Sequence, residues 1–169
     1  SKWKFRLPST PYRLALTGVS NGQTIDKPVK LSTFRNFHVN ETEYILKDLN
    51  TGKKESLKKF GYGSYKWFPG VEYKGEKELL VRVAYRGSQT MESNPIKVNL
   101  AGKPIVLLEG MGPNEVVTGD KIIKVNSNVD LNKVQYVLTN TSTGSKRLLQ
   151  LNPDEDFLYS PKKEDAGYW

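Results

Sequence analysis

At 169 residues, with no cysteine and a formal net charge of +8, the chain has room for one domain or two small ones. Disulfides, thiol catalysis and cysteine-built zinc sites are excluded, and no apolar run approaches the ~20 residues a membrane helix needs, so no membrane span is expected. The charge is uneven: residues 1–103 carry 19 Lys/Arg and 9 Asp/Glu, whereas residues 104–169 carry 7 and 9. A basic first half suits an anionic neighbour, whether nucleic acid, membrane surface or cell-wall polymer; the alternative is a merely solvated surface. With neither an initiator Met nor a signal-peptide pattern, the sequence reads as a mature form or an excised fragment.

In chain order, Ser1–Leu7 alternates Trp3, Phe5 and Leu7 with Lys2, Lys4 and Arg6, the period of a strand. Asn94–Leu100 alternates likewise, so residues 1–10 are expected to be the terminal strand of a preceding copy. Pro11–Leu16 reads as a first strand, with Pro104–Leu108 as its counterpart. Gly18-Val-Ser-Asn-Gly22 is turn chemistry, because Asn-Gly favours positive φ. Gln23–Thr33 sets Ile25, Val29 and Leu31 in a strand interrupted at Pro28, and Val116–Val125 does the same around Gly119. Glu41–Leu49 is a strand closed by Asn50-Thr51-Gly52-Lys53, a type I turn with glycine in the left-handed position. Lys54–Lys59 returns with Leu57 inward; Ser64–Trp67 and Asp156–Tyr159 then alternate their aromatics. Glu78–Tyr85, the most apolar run, is expected to be a central strand; Arg86–Glu92 turns around Gly87, and Ser93–Leu100 closes the module. No segment shows helical periodicity.

The chain repeats itself. Tyr44–Gly52 returns as Tyr136–Gly144, displaced by 92 residues, and the displacement holds without a gap from Gly18/Gly110 to Gly75/Gly167. A period this long is a domain duplication rather than a solenoid. The expected fold is all-β: tandem Ig-like antiparallel β-sandwiches, the second copy truncated, divided as 1–10, 11–101 and 102–169. Tyr44, Leu46, Leu57, Tyr65 and Trp67 should be buried, as should Tyr136, Leu138, Leu149, Phe157 and Tyr159. Trp169 aligns with Lys77, so the second copy lacks the equivalent of Glu78–Leu100, which in such a sandwich supplies a central strand and its neighbour. An open edge invites pairing. It is to be completed by further residues of the parent, or by strand-mediated self-association in which Lys2–Leu7 of a neighbouring molecule docks there.

Catalytic constellations are missing. His38 stands alone without a nucleophile or carboxylate partner. Glu41 with Glu43, and Glu76 with Glu78, are ordinary same-face pairs on solvent-facing strands. Asp154-Glu155-Asp156 offers oxygen ligands to calcium but lacks the spacing of a calcium loop. No cofactor is expected. Asn40-Glu-Thr42 and Asn140-Thr-Ser142 match the glycosylation sequon. The candidate binding surface is aromatic and basic: Tyr62, Lys66, Phe68 and Tyr73 with Lys58 and Lys59, and Phe60 beside them. Rings beside cations suit sugars, anionic glycans or single-stranded nucleic acid.

The motif run Gly18-Val-x-x-Gly22-Gln-x-Ile-x-x-x-Val29-x-Leu31, Glu43-Tyr44-x-Leu46-x-Asp48-x-x-Thr51-Gly52, Tyr65-x-Trp67-x-Pro69 and Gly75 resembles the immunoglobulin-like repeats of Gram-positive cell-surface proteins. Such repeats occur in the non-catalytic portions of peptidoglycan hydrolases (autolysins). The resemblance implies a secreted, cell-surface region without activity of its own, which targets, spaces or regulates an enzyme elsewhere in the parent. Bacterial cell wall or an anionic polymer is the partner it implies; nucleic acid is not expected. A dedicated carbohydrate or wall-polymer binding module and a protein–protein adhesion module are the alternatives.

Overall fold

The computed structural model describes residues 10–151 and 156–167. The expected strand Lys2–Leu7, and Asp154 and Glu155 of the acidic cluster, lie outside those residues. The chain divides into two compact units, one ending at Gly102 and the other beginning at Lys103.

Among the described residues, alternating apolar residues in unit 1 make nine strands: β1 (Leu14–Thr17), β2 (Gln23–Ile25), β3 (Val29–Arg35), β4 (Glu41–Asp48), β5 (Lys54–Phe60), β6 (Tyr65–Trp67), β7 (Lys74–Tyr85), β8 (Gln89–Glu92) and β9 (Ile96–Ala101). They form two layers, β1-β3-β6 and β2-β9-β7-β4-β5, with β8 added on β7. That order is an Ig-like β-sandwich. All pairings among the described residues are antiparallel except β2 beside β9. The inward residues Leu31, Tyr44, Leu46, Trp67, Leu79, Val81, Val98 and Leu100 form one core, with Leu57 and Tyr65 half-buried against it.

Three segments of unit 1 differ from the sequence reading. Gln23–Thr33 is not one interrupted strand: the chain changes layers at Pro28, β2 pairing with β9 and β3 with β1 and β6. Proline has no N–H for a ladder, so a crossing point is where it fits. Arg86–Glu92 is not all turn, because Gln89–Glu92 folds back on Arg82–Tyr85 as a hairpin. The central strand is longer than Glu78–Tyr85 and buries both faces, with Leu79 and Val81 in the core and Leu80 at 4% exposure on the opposite side. Leu80 pairs with Ile45, itself 2% exposed, and neither belongs to the core cluster. Charged neighbours on that outer face surround them: Lys47–Glu78 at 2.8 Å, Arg82–Glu43 at 3.3 Å, and Lys54–Glu92 at 2.8 Å, which joins β5 to β8 across β4 and β7. Such pairs contribute little as charges, but their long aliphatic stems can cover an apolar patch.

Unit 2 contains β10 (Val106–Glu109), β11 (Lys121–Ser127), β12 (Gln135–Thr139), β13 (Lys146–Leu151) and β14 (Phe157–Tyr159), then a 3-10 turn at Lys163–Asp165. Its sheets, β10-β11-β14 and β12-β13, reproduce β1-β3-β6 and β4-β5. The copying is residue by residue. Leu14 opposes Arg35 as Val106 opposes Ser127, and the bulge at Tyr44/Ile45 recurs at Tyr136/Val137. Asn36 clamps β1 by accepting from the Arg13 N–H and donating to the Pro11 carbonyl; Asn128 does the same for Ile105 and Lys103. Tyr44 and Tyr65 stack at 6.2 Å, Tyr136 and Phe157 at 5.2 Å. Ile123, Tyr136 and Tyr159 are buried, with Leu138, Leu149 and Phe157 half-buried around them. Val116–Val125 is strand only from Lys121 onward, since the counterpart of β2 would pair with a counterpart of β9, and no such strand occurs among the described residues.

Candidate binding surface

The hairpin that joins β4 to β5 is built by one side chain. Asp48 Oδ1 accepts from the N–H groups of Asn50 and Thr51 and from the Thr51 hydroxyl, and Gly52 closes the turn at φ +70°. Asn140 repeats this with Ser142 and Thr143, and Gly144 is again at +70°. A short side chain with an acceptor oxygen is what such a turn requires at its first position. That requirement was legible in the repeated Asp/Asn, although the sequence reading passed over it. In unit 1 the second Asp48 oxygen also meets Lys77 Nζ from β7.

Beside this turn lies a pocket of about 250 Å³ lined by Asp48, Lys53, Glu55, Glu72, Tyr73 and Lys77. Tyr73 packs edge-on against Trp67 at 6.2 Å and donates to Glu55 Oε1 at 2.6 Å. Burial pushes its hydroxyl well above the ordinary phenol range, and the Glu55 carboxylate adds to the push. Unit 2 keeps a bonded pair at these two positions with the chemistry exchanged: Arg147 stands for Glu55, Asp165 for Tyr73, and the two are ion-paired. Burial alone would raise the Asp165 carboxyl, but donors from Lys162 N–H, Tyr159 and Arg147 outweigh it and hold the group below the ordinary value.

The sequence-derived surface residues are spread over the unit. Tyr62, 79% exposed, stands in the β5–β6 turn at one end of β6, while Phe68 follows the other end, with Tyr73 in the pocket. Lys66 points outward on β6 opposite Lys30. Lys58 opposes Tyr44 on the edge strand β5. Lys59 faces the other side of that sheet and is paired with Glu41 at 2.9 Å. Phe60 is drawn inward against Tyr44 at 5.8 Å. Tyr73 and the pocket are therefore one location, and Tyr62 another.

One guanidinium escaped the sequence reading. Arg35 ends β3 on its inward side, near enough to Tyr44 for its charge to act on that hydroxyl, and its Nε is buried without a hydrogen-bond partner. His38 is exposed in the β3–β4 loop. Among the described residues no group of three or more His, Asp or Glu is placed to hold a metal, and Asp156 pairs with Lys124 at 2.5 Å. No described helix is long and apolar enough to cross a membrane.

The Asp48 turn carries a pH prediction. Bonds from Lys77, from the Thr51 N–H and from the Thr51 hydroxyl hold its carboxyl far below the usual carboxylate range. A carboxyl with a depressed folded-state value contributes stability above its unfolded value of ~3.9, and that contribution is lost as pH falls through the folded value. Asp48→Asn keeps the turn bonds, as Asn140 shows, and loses only the charge. Urea unfolding between pH 6 and pH 2 should therefore show a shallower acid decline in this variant than in the parent; equal slopes would mean the Lys77 pair is not felt.

No family model and no curated protein matches the chain. Among solved structures it is similar to the fibronectin(III)-like modules of Clostridium thermocellum CbhA, at 12% identity and TM-score 0.40, over 89% of this chain and 80% of that one. The strand order, rather than this likeness, identifies the chain as an all-β protein of Ig-like sandwich units.

Proposed function

We propose that the chain is a non-catalytic, extracellular Ig-like repeat region of a bacterial cell-wall hydrolase or surface protein, held against the wall by the basic surface of unit 1. The observation that carries this reading is how the charges are used. Glu41, Glu43, Asp48, Glu78 and Glu92 are each ion-paired, and Glu55 accepts from Tyr73. Lys27, Lys30, Lys58 and Lys97 are exposed and take part in no ion pair among the described residues. Six of the nine acids of unit 1 are occupied internally, and Lys/Arg outnumber Asp/Glu in this half of the chain by 19 to 9 over residues 1–103, so the surplus positive charge is left to solvent or to an anionic polymer. The resemblance of the repeat motif to cell-surface modules agrees with that partner.

Co-sedimentation with isolated cell walls tests it. Exposed charges are screened over ~10 Å at 0.1 M salt, so bound fraction should fall steeply from low to moderate salt, and again when anionic polymers are stripped from the wall. Lys30→Glu with Lys58→Glu should lower it at fixed salt. Binding indifferent to salt and to these charge reversals would sink the reading.

A second reading, stacking on sugar, is favoured by the exposed Tyr62 ring and the pocket at Tyr73. It expects salt-insensitive binding that Tyr62→Ala or Phe68→Ala abolishes. A protein–protein adhesion or spacing role remains for a chain that binds walls under neither condition.

A further inference from the structure

The exchange of chemistry between Glu55/Tyr73 and Arg147/Asp165 leaves one of the two units open. In unit 2 the guanidinium of Arg147 lies between two carboxylates: Nη1 meets Glu164 Oε1 at 2.8 Å, and Nη2 meets Asp165. At the displacement of 92, Arg147, Glu164 and Asp165 correspond to Glu55, Glu72 and Tyr73. Unit 1 therefore keeps the Glu164 carboxylate, as Glu72, but has no guanidinium for it. A further carboxylate, Glu55, stands in the guanidinium's place.

The local geometry of unit 1 is that of a receptor for positive charge. Tyr73 donates to Glu55 Oε1, which leaves Oε2 as an acceptor. The charges of Glu55 and Glu72 both act on the Tyr73 hydroxyl, so the two carboxylates face one location. Glu72 folds back over Gly70, where an added Cβ would strike its carboxyl oxygens, and it forms no ion pair among the described residues. Both acids border the pocket of about 250 Å³, in which Leu46, 3% exposed, is an apolar wall. Of the two lysines there, Lys77 is committed to Asp48, and Lys53 is in no ion pair among the described residues. With Asp48 and Lys77 cancelling, Glu55 and Glu72 outweigh Lys53. Unit 1 is basic as a whole, but exposed charges are screened over ~8 Å at physiological salt, so the acids at the pocket decide what enters it.

We infer that this pocket binds an arginine side chain of a partner polypeptide, with the guanidinium between Glu72 and Glu55 and the methylene stem against Leu46. A planar fork of donors serves two carboxylates at once, whereas an ammonium is a compact, strongly hydrated point charge. Arg147 is the internal example, a guanidinium carried to its acids on the stem of a strand residue. A bare guanidinium would leave the Leu46 wall unused. This inference does not depend on the wall-binding reading.

The probe is the capped tripeptide acetyl-Gly-Arg-Gly-amide, titrated into the full chain and followed by NMR shifts. Saturable shifts at Glu55, Glu72 and Tyr73 are expected, with a dissociation constant on the order of 1 mM, because exposed ion pairs are individually weak. Citrulline in place of the arginine keeps the shape and removes the charge, and should weaken binding tenfold or more. Glu72→Gln should do the same. Glu55→Arg copies Arg147 and should abolish binding by filling the pocket from within. Glu55 and Glu72 are exposed, so both variants should fold, and unchanged shifts in the core check that they have. Asp120→Asn, the same loss of charge in unit 2, should leave binding as it was; so should Tyr62→Ala, which separates this site from stacking on sugar. Equal binding by the citrulline peptide, equal losses in Asp120→Asn and Glu72→Gln, or no saturable shift at the pocket would each overturn the inference. Methylguanidinium bound as tightly as the tripeptide would assign the pocket to a free small cation and overturn the polypeptide partner.

Discussion

Tyr44→Ala is expected to destabilise unit 1 by about 3–5 kcal/mol, the range for truncating a fully buried aromatic. Tyr44 is 0% exposed, touches the rings of Phe60 and Tyr65, and lies at the centre of β4 between β5 and β7. Against a total of roughly 5–15 kcal/mol for a domain, that loss brings unit 1 close to unfolding at physiological temperature. Its hydroxyl donates to the Gly63 carbonyl at 3.2 Å and lies 3.2 Å from Thr33 Oγ1. Tyr44→Phe removes the hydroxyl's bond to that carbonyl and should cost about 1 kcal/mol. Tyr136→Ala should cost less than Tyr44→Ala, because Tyr136 is 7% exposed and its strand has one neighbour instead of two among the described residues. Urea midpoints for the three variants check the order. Equal losses for Tyr44→Ala and Tyr136→Ala would mean that the second neighbour strand adds nothing.

Gly18→Ala should cost about 3 kcal/mol, more than the roughly 1–2 kcal/mol of a left-handed alanine alone, because overpacking adds to it. Gly18 sits at φ +96°, and a Cβ there would collide with the backbone carbonyl of Lys30, which no rotamer change relieves. Gly110 repeats the situation against the Ile122 carbonyl at φ +98°. Gly75 is a fitting control: at φ +78° it has open space around the added Cβ, so Gly75→Ala carries only the conformational cost of about 1–2 kcal/mol. The excess of Gly18→Ala over Gly75→Ala in thermal or urea unfolding isolates the collision. If the two variants lose the same amount, the close approach of the turn to β3 is not as drawn.

Much of the fold was legible because the duplication acts as a built-in comparison. Positions that stay apolar at a displacement of 92 with period-two spacing have to face a core: Tyr44 with Tyr136 and Trp67 with Tyr159 are buried, and Tyr65 with Phe157 half-buried. Thr51-Gly52 recurring as Thr143-Gly144 marks a turn for the same reason, since only glycine adopts positive φ without cost. The candidate site was less legible. Lys58 and Lys59 are adjacent in sequence, yet strand parity sends them to opposite faces, and only register shows that Lys59 ends beside Glu41. Tyr73 reads as a surface aromatic until β5 brings Glu55 to its hydroxyl.

The sequence by itself determined the all-β class, the tandem repeat, the hairpin turns and the inward parity of each strand, because these follow from local spacing and backbone chemistry. The tertiary structure decided which strands share a sheet. It sent β2 and β3 to different layers at Pro28, set β2 parallel to β9, and buried Ile45 and Leu80 on a face that alternation assigns to solvent. It also decided which charges cancel, since Lys54 and Glu92 lie 38 residues apart and meet only across two intervening strands. Pairings between distant segments depend on the summed packing of both layers, and no local run of residues encodes that sum.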